Sequence, residues 1–423
     1  MTVDVVYFDY WTRGIRHFVK IDQNIKARGL SSLLVHLGSQ RGEPLQVNQE
    51  LNGIQCADIA RYDGSLMRML KKERPKVVLL LNNQSEDKII VRACRYLNIK
   101  TVFLMHGVLT PEDKLHETAD LVDSAFSIKD RVRRIPKYIR LLLQYLEAAL
   151  LGGMRNIFDR EIYAYFARQA YSPGGNLAGK WKYRDSCADI ALVYSEEDRN
   201  LFVSCFGYDT ESILVVGNYN LDELFEKNLS YRDDVTLSGD ARKNVVYIEN
   251  GFADPKYTVR GWSEDLVADE VENISRVCAD FGYKLKLKLH PSSDYSTLIE
   301  RLSRNRNVEI IKHCDLAELI VQVDIVLGQS SSVLMMALAV GKPIFILDIH
   351  PLNLKITTYA DRGFGEITSS LDKLRDLLSK RDDAYSASAC PDADKVGQFI
   401  GPFDGQSSNR ISSVIMSQCI GRD

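Results

Sequence analysis

The chain has 423 residues, of which 45% are hydrophobic and 26% are charged, and its formal net charge is −3 at pH 7. This is the composition of a globular protein long enough for two domains of ordinary size. The near-neutral charge argues against a nucleic-acid partner. Eight single cysteines without a CxxC pair are typical of reduced thiols and exclude a disulfide framework or a zinc-ribbon site.

The first residues, MTVDVVYFDYW, have no basic region followed by an apolar core, so no signal peptide is predicted. No uncharged apolar run approaches the ~20 residues that span a bilayer. We therefore expect a cytoplasmic protein, bound at most as a peripheral protein to the inner face of the cell membrane.

Short apolar runs alternate with helical patterns through the first half of the chain, which predicts an α/β domain on a parallel sheet. The predicted strands are Val3–Phe8, Leu33–Leu37, Val77–Leu81, Thr101–Leu104, Ile190–Tyr194 and Ile213–Val216. Helical periodicity lies between several of them, at Gly14–Ala27, Gly64–Lys72 and Glu86–Tyr96.

The segment from about Pro111 to Tyr183 interrupts this pattern, because no strand is predicted there. It contains RVRRIPKYIRLLLQYLEAALL, a basic opening followed by apolar helical faces. One interpretation is a helical insertion, at about 110–185, that packs on the N-terminal domain. The other is a surface over 131–150 that docks on an anionic membrane. In that case the basic side chains would meet lipid phosphates and the apolar ones would enter the headgroup boundary: Arg131, Arg133, Arg134, Lys137 and Arg140, with Ile139, Leu142, Leu143 and Leu146.

The second half of the chain repeats the strand–helix alternation. Its predicted strands are Asn244–Ile248, Lys284–Leu289, Val308–Ile311, Ile325–Leu327 and Pro343–Leu347. Its predicted helices are Ser263–Phe281, Asp294–Ser303, Asp315–Gln322 and Ser332–Val340. Two such sets predict two doubly wound, Rossmann-like domains facing a central cleft. The predicted domains cover 1–225 and 240–400, separated within the polar stretch Asn220–Asp240, and a helix over 401–423 packs back on the N-terminal domain.

Polar and glycine residues follow the predicted strands, where doubly wound sheets bind their ligands. They are Asp9, Asn82, His106, Gly107, Asn218, Glu249, Asn250, Gly251, His290, Pro291 and Gln329. They form no cluster of metal-ligand types, so neither a metal nor a cofactor is expected.

The segment GQSSSVLMMALAVGKPIFIL predicts a strand, a serine turn, a helix and another strand. One serine at a helix start can cap the open backbone N–H groups. The same geometry can bind a phosphate, because N–H donors, the positive helix end and hydroxyl groups converge on one anion. Three serines after a glycine favour the phosphate, and the candidates are Gln329, Ser330, Ser331 and Ser332.

His290 ends the run KLKLKLHP, whose alternation predicts a half-covered strand. The following Pro291 restricts the backbone. A histidine at this position is either a satisfied polar residue near the core or a donor to a phosphate that becomes more negative in the transition state. Its position about 40 residues before the serine turn in the same predicted sheet favours the second role.

The motifs KLHP and CDLAELIVQVDIVLGQSSSVLMMALAVGKPIFIL, in this order, resemble the C-terminal domain of GT-B glycosyltransferases with a His-Pro and a double-serine motif. This group includes bacterial sialyltransferases and polysialyltransferases, Kdo transferases and CDP-glycerol glycerophosphotransferases. VYSEEDRNLFVSCFGYDTESILVVGNYNLDEL similarly resembles the end of a GT-B N-terminal domain. The resemblance implies an inverting, metal-independent glycosyltransferase of the GT-B architecture. Its donor would be a nucleotide sugar, with a CMP-sugar favoured over a UDP-sugar, and its acceptor a cell-surface polysaccharide or a glycolipid.

The resemblance also implies residue roles. His290 matches the histidine that contacts the donor phosphate, and Ser331 and Ser332 match the serine pair. His106-Gly107 matches a His-Gly of the glycerophosphotransferases, whereas sialyltransferases have an acidic pair there. Met336 occupies the place of the ribose-binding glutamate of many retaining enzymes, which disfavours their UDP-sugar pattern.

Two residues are candidates for the base that deprotonates the acceptor, His106 and Asp9. Histidine is favoured because its unperturbed pKa of about 6.5 suits proton transfer near neutral pH. Asn250, Gly251, Asn218 and Gly107 complete the predicted nucleotide-binding or substrate-binding set.

Two other functions remain open at this point. A sugar-nucleotide 2-epimerase has the same two-domain fold and a similar His-Pro segment, although its glycine-glutamate cluster is replaced here by Gln329 and the serines. A non-catalytic partner in a polysaccharide assembly complex would bind nucleotide without turnover.

Overall fold

The structure is a computed structural model that describes residues 3–82, 85–107, 128–151, 187–235, 243–251, 263–290, 295–329, 331–348, 359–383 and 392–420. The chain divides into two compact units. Unit 1 comprises Met1–Tyr219 and Gln406–Asp423, and unit 2 comprises Asn220–Gly405. Two predicted site residues, Pro291 and Ser330, lie outside the described residues, as does most of the predicted insertion.

Unit 1 is built on a sheet whose strands run in the order β3-β4-β2-β1-β5-β6-β7-β8. The strands are β1 Val5–Asp9, β2 Ser32–His36, β3 Asn48–Leu51, β4 Ile54–Asp58, β5 Val77–Leu80, β6 Lys100–Leu104, β7 Ile190–Val193 and β8 Ile213–Val215. All pairs are parallel except β3 with β4. The central strands are buried apolar runs, as expected for a parallel sheet covered on both faces.

Six helices of unit 1 are described: α1 Val19–Lys26, α2 Leu66–Glu73, α3 Ser85–Tyr96, α4 Ile128–Leu151, α5 Glu196–Leu201 and α13 Ser407–Ile420. The number of α13 follows chain order, because the helices of unit 2 precede it in the sequence. Short 3-10 turns occupy Thr12–His17, Gly38–Arg41, Ile59–Tyr62 and Thr210–Ser212, and a π turn occupies Phe202–Phe206. The single helix predicted over Gly14–Ala27 is therefore a 3-10 turn followed by α1. The C-terminal helix α13 packs on α1, where Asn24 donates a 2.9 Å hydrogen bond to Asn409.

Helix α4 lies within the predicted insertion and packs on α2 and α3. Its inner face buries Tyr138, Leu141 and Tyr145. Its outer face exposes a stripe of apolar side chains at helical spacing, Val132, Ile135, Ile139, Leu143 and Leu150. No helix in the described part of the chain is long and apolar enough to cross a membrane.

Unit 2 is built on a second, fully parallel sheet in the order β11-β10-β9-β12-β13-β14. Its strands are β9 Asn244–Ile248, β10 Lys284–Lys288, β11 Val308–Ile311, β12 Ile325–Gly328, β13 Ile344–Leu347 and β14 Glu366–Thr368. Its helices are α6 Asp222–Val235, α7 Glu264–Asp280, α8 Ser296–Leu302, α9 Leu316–Gln322, α10 Val333–Ala339, α11 Leu371–Asp383 and α12 Ala393–Ile400, with a 3-10 turn at Ala360–Arg362. Another 3-10 turn, Tyr219–Leu221, begins at the last residue of the first segment of unit 1. The polar stretch Asn220–Asp240 thus contains α6.

The alternating strand β10 lies inside the sheet of unit 2, between β9 and β11. Leu285 and Leu287 point into the core against Val271 and Ile274 of α7. The opposite face is not fully solvated, because Lys288 is buried. The prediction of a half-covered strand is therefore wrong at its carboxyl end.

Candidate functional site

The sheet of unit 1 reverses its direction of growth between β1 and β5, because the chain first adds β2 and β4 on one side and then β5 to β8 on the other. Ligands of doubly wound sheets bind at such a switch point, off the carboxyl ends of the strands. Asp9 ends β1 and Asn82 follows β5, and the side-chain amide of Asn82 donates a 3.1 Å hydrogen bond to Asp9 Oδ1.

The Asp9 carboxylate is buried and held by several donors. It also accepts hydrogen bonds from the backbone N–H groups of Tyr10 and Trp11. Burial raises the pKa of Asp9, while these hydrogen bonds and the charge of His106 oppose the rise. Gly14 leaves room for the carboxylate, because a Cβ atom at that position would overlap Asp9 Oδ2. Asp9 therefore organises the loop that follows β1.

His106 follows β6, the strand next to β5, and its side chain is exposed. Its Nδ1 atom lies 2.7 Å from the carbonyl oxygen of Leu81. A carbonyl can only accept, so Nδ1 carries the proton of the neutral ring and Nε2 carries the lone pair. Gly107, with φ 76°, supplies the left-handed turn that ends this segment. This geometry presents Nε2 as a proton acceptor.

A second histidine of unit 1, His17, was not predicted as a site residue. Its ring centroid is 5.5 Å from that of His106, and its Nδ1 atom is 3.0 Å from the hydroxyl of Tyr219. Burial, followed by the charges of His106 and Arg16, lowers the pKa of His17 to about 3. His17 is therefore a neutral packing partner of His106 near neutral pH. The sequence could have indicated His17 as a site residue, because it lies in the segment that follows the first predicted strand.

Asn218, another predicted residue, is buried just after the edge strand β8. Two strands, β6 and β7, separate β8 from the switch point at β1 and β5. The structure therefore brings Asp9 and Asn82 together, with His106 beside them. Asn218 follows the edge strand, but its neighbour Tyr219 contacts His17, whose ring packs on His106.

Unit 2 has its own switch point, between β9 and β12. Glu249 follows β9 and Gln329 follows β12, and both side chains are buried. Glu249 Oε1 accepts hydrogen bonds from the backbone N–H of Gly251, at 2.7 Å, and from the hydroxyl of Tyr295, at 3.2 Å. Glu249 thereby fixes the loop that contains Asn250, and the N–H of Gly251 donates within the protein.

His290 lies two residues beyond the end of β10 and is half-buried. Lys288 pairs with Ile248 in the sheet register, so His290 continues the strand level with Asn250. The end of β10 is anchored by Lys288, whose ammonium group donates to the carbonyl oxygens of Leu289 at 2.6 Å and Lys312 at 3.0 Å. Burial lowers the pKa of Lys288, and the charges of Cys314 and Glu249 oppose this shift.

The serine turn begins the seven-residue helix α10. Ser331 acts as a cap, because its Oγ accepts a 3.3 Å hydrogen bond from the N–H of Val333. Its carbonyl oxygen accepts a 2.9 Å hydrogen bond from the hydroxyl of Tyr359. Ser332 is exposed and makes no side-chain cap bond. Of the two described serines, Ser332 therefore presents its hydroxyl to solvent at the same edge of the sheet as Gln329.

No group of three or more His, Cys, Asp or Glu side chains suited to a metal ion occurs among the residues that the structure describes.

The profile of the CDP-Glycerol:Poly(glycerophosphate) glycerophosphotransferase family matches residues 166–417, more than half of the chain. The protein belongs to this family. The resemblance derived from the His-Pro and serine motifs is thereby confirmed, and the chain is a transferase of polymer biosynthesis that uses a nucleotide-activated donor. His290 and the serine turn lie inside the matched span, whereas Asp9 and His106 precede it.

Solved structures with a similar fold include a histidine-to-asparagine variant of the wall teichoic acid polymerase TagF, at 13% identity and TM-score 0.54 over 99% of this chain and 89% of that chain. A histidine-to-asparagine variant of TagF soaked with CDPG has a TM-score of 0.55 at 14% identity, covering 98% and 89%. The UDP-GlcNAc 2-epimerase of Methanocaldococcus jannaschii has a TM-score of 0.52 at 14% identity, covering 99% and 100%. These proteins have the GT-B fold, so the predicted fold class is confirmed. Comparison with curated protein sequences gave no match.

Proposed function

We propose that the protein transfers a phosphorylated polyol from a CDP-activated donor, with CDP-glycerol as the leading candidate, to a hydroxyl group of a surface polymer. The family match over residues 166–417 supports this donor class. The single structural observation that carries the mechanism is the hydrogen bond from His106 Nδ1 to Leu81, because it leaves the lone pair of this exposed side chain on Nε2, which can act as a base.

In this mechanism His106 Nε2 removes the proton of the acceptor hydroxyl, and the oxygen attacks the phosphorus atom that bears the glycerol. A new P–O bond forms as the bond from this phosphorus to the bridging oxygen breaks, and that electron pair leaves with CMP. His290 and the hydroxyl of Ser332 stabilise the negative charge that develops on the leaving CMP. Asp9 acts as a positioning residue for the β1 loop.

A CMP-sugar is the second candidate donor, because the same His-Pro and serine motifs occur in transferases that release CMP. With that donor the acceptor oxygen would attack the anomeric carbon in line, inverting its configuration, and no metal ion would be required. CMP is the product with either donor, so the same assay tests both.

The test measures release of CMP by the purified protein from CDP-glycerol and from CMP-sugars, and release of UDP from UDP-sugars, each with and without a glycerophosphate oligomer. We expect CMP release from CDP-glycerol that depends on the oligomer. Conversion of a UDP-sugar without acceptor would instead indicate an epimerase. Tight nucleotide binding without any turnover would indicate a non-catalytic partner. Either result would overturn the proposal.

We also propose that α4 docks the protein on the anionic face of a membrane. The support is its exposed apolar stripe, which includes Ile139 and Leu143, together with the basic residues of 131–140 in the same helix. An exposed apolar helix face suits insertion at the headgroup boundary, and nearby Lys and Arg add electrostatic attraction. The four basic side chains that open the segment lie outside the described side chains.

A further inference from the structure

The 3-10 turn Thr12–His17 carries two arginines on one face. Such a turn has three residues per turn, so Arg13 and Arg16 are aligned one above the other, roughly 6 Å apart along the axis. Both side chains are exposed. The turn starts three residues after Asp9, at the carboxyl end of β1. Two positive charges therefore stand together at the edge of the sheet where His106 lies.

Neither arginine has an acidic partner within the described part of the chain, and neither donates a hydrogen bond there. The Arg13 guanidinium lies over the Trp11 ring, 5.0 Å from its centroid. Arg41 lies 5.6 Å from the same ring, but its charge is paired with Glu86 at 3.1 Å.

The carboxylate of Glu43, beside this turn, already accepts hydrogen bonds from Thr12. Glu43 Oε2 accepts hydrogen bonds from the Thr12 N–H at 3.2 Å and from the Thr12 hydroxyl at 3.0 Å. Asp9 is buried under the turn. The positive charge of Arg13 and Arg16 is therefore directed to solvent, and like charges at this spacing repel each other unless an anion lies between them.

The pair is also close to the proposed base. The charge of Arg16 acts on His17, and the His17 ring packs 5.5 Å from the His106 ring. An anion held by the arginines would thus lie at the same edge of the sheet as His106. Guanidinium groups suit phosphate oxygens, which they bind through two parallel hydrogen bonds.

We propose that Arg13 and Arg16 form an acceptor subsite that binds phosphodiester groups of an anionic polyol-phosphate polymer and presents its terminal hydroxyl to His106. This inference rests on the proposed function, and its new element is the pair of residues that would hold a charged acceptor polymer of the kind in the family's name. Arg13 and Arg16 can each bind one of two neighbouring phosphates of the polymer.

The test compares Arg13→Gln, Arg16→Gln and the double variant with the wild type, using CDP-glycerol as donor. The acceptors are a short glycerophosphate oligomer and free glycerol, which offers the same hydroxyl without phosphate. We expect KM for the oligomer to rise about ten-fold per arginine, the usual effect of losing a charge-assisted contact. The kcat value, the KM for CDP-glycerol and the rate with glycerol should stay within about two-fold.

The matched control is Arg28→Gln, which removes an exposed arginine after α1, where its guanidinium contacts Met416. This variant should leave KM for the oligomer unchanged. Added sodium chloride should raise KM for the oligomer in the wild type more than in the double variant, because salt screens the arginine–phosphate attraction.

Three results would overturn the inference: an unchanged KM for the oligomer, an equal loss with glycerol, or a rise confined to KM for CDP-glycerol. Binding to vesicles with an anionic lipid separates the two sources of phosphate. If vesicle binding falls while KM for the oligomer does not, the arginines bind lipid headgroups and the acceptor assignment is wrong. Equilibrium binding of a fluorescent oligomer needs no turnover, so unchanged affinity in the double variant rejects the subsite even if the wild type releases no CMP.

Discussion

The Nδ1 atom of His106 lies 2.7 Å from the carbonyl oxygen of Leu81, so a residue at the end of β5 determines which nitrogen of His106 can accept a proton. The bond joins two neighbouring strands at their carboxyl ends. Asp9, the other candidate base, has its carboxylate buried and occupied by backbone and amide donors. The two candidates therefore differ in access to an acceptor.

Replacement of His106 by alanine should lower turnover by roughly 10² to 10⁴-fold, the usual contribution of a positioned base. Nucleotide affinity should change little, because the base contacts acceptor and not donor. Initial rates of CMP release and calorimetric nucleotide binding measure the two effects. Asp9→Asn is the companion variant, and an active His106→Ala beside an inactive but folded Asp9→Asn would reverse the assignment.

Replacement of His290 by alanine should lower turnover by roughly 10² to 10³-fold, as expected for loss of one donor to a developing anion. Substitutions of the two serines should have different effects. Ser332→Ala should weaken nucleotide binding without loss of stability, whereas Ser331→Ala should cost about 1 kcal/mol of folding free energy, because Ser331 caps α10. Thermal unfolding with and without CMP checks both. Wild-type activity and nucleotide affinity in His290→Ala and Ser332→Ala would refute the assigned roles.

Replacement of Gly14 by alanine should destabilise unit 1 by roughly 1 to 3 kcal/mol, because the new methyl group overlaps the Asp9 carboxylate and forces it to move. Turnover should fall with stability, since the β1 loop moves too. Gly397→Ala in α12 is the control, because a Cβ atom there meets nothing within 4 Å and alanine favours a helix. Denaturant unfolding measures both variants, and equal stabilities would contradict the fit at Gly14.

Glu270 of unit 2 should make folding stability depend on pH. Burial raises its pKa from 4.5 to about 7, with a further contribution from the charge of Glu249. Between these two values the unfolded chain releases a proton that the folded chain retains. Stability therefore falls as pH rises from about 4.5 to about 7, by up to roughly 3 kcal/mol.

Glu270→Gln tests this pH dependence, because glutamine can still accept the hydrogen bond of 3.0 Å from the Tyr247 hydroxyl. The variant should be more stable than the wild type at pH 8, and the difference should vanish below about pH 4.5. Unfolding free energies at several pH values give the comparison. A difference that is constant with pH would mean that Glu270 does not titrate in this range.

Replacement of Arg131, Arg133, Arg134 and Lys137 by glutamate should release the protein from anionic vesicles at low salt, because each basic residue near such a surface contributes about 1 kcal/mol. Ile139→Ser with Leu143→Ser should also weaken binding, since both side chains are exposed on α4. Leu266→Ser, at an exposed leucine of α7, is the control and should bind as the wild type does. Vesicle co-sedimentation measures binding, while turnover on a short soluble acceptor should persist. If the wild-type protein does not bind anionic vesicles, α4 only packs on unit 1 and the membrane proposal is wrong.

Eleven strands were predictable from the sequence, ten because each is a short, mainly apolar run and Lys284–Lys288, KLKLK, because its leucines alternate with lysines. The missed strands lack that signal. Asn48–Leu51, NQEL, is an antiparallel edge strand with alternating exposed residues, and Glu366–Thr368, EIT, is a three-residue edge strand. Ile54–Asp58, IQCAD, carries two polar residues in five. The two edge strands, β3 and β14, are covered less, so their sequences need fewer apolar residues, whereas β4 lies inside the sheet.

The candidate site was predictable only in part. Strand ends located Asp9 and His106 in unit 1 and His290 in unit 2, since the parallel strands of each sheet bring their carboxyl ends to one edge of that sheet. The partner of His106 could not be predicted, because Leu81 is 25 residues away and the contact depends on how β5 and β6 align. The cap formed by Ser331 likewise depends on the backbone of one turn.

The C-terminal helix α13 has a consequence for the order in which the protein can fold during synthesis. Its buried residues Ile411, Ser412 and Ile415 cover α1, and Ser412 Oγ contacts the carbonyl oxygen of Ile21. Residues 220–405 emerge from the ribosome before this helix does. Because domains generally fold as units, the later half of the chain can complete its own core first. The first segment of unit 1 is synthesised earlier, but its helix α1 stays uncovered until α13 has been synthesised. The contact between Ser412 and Ile21 spans about 390 residues of sequence.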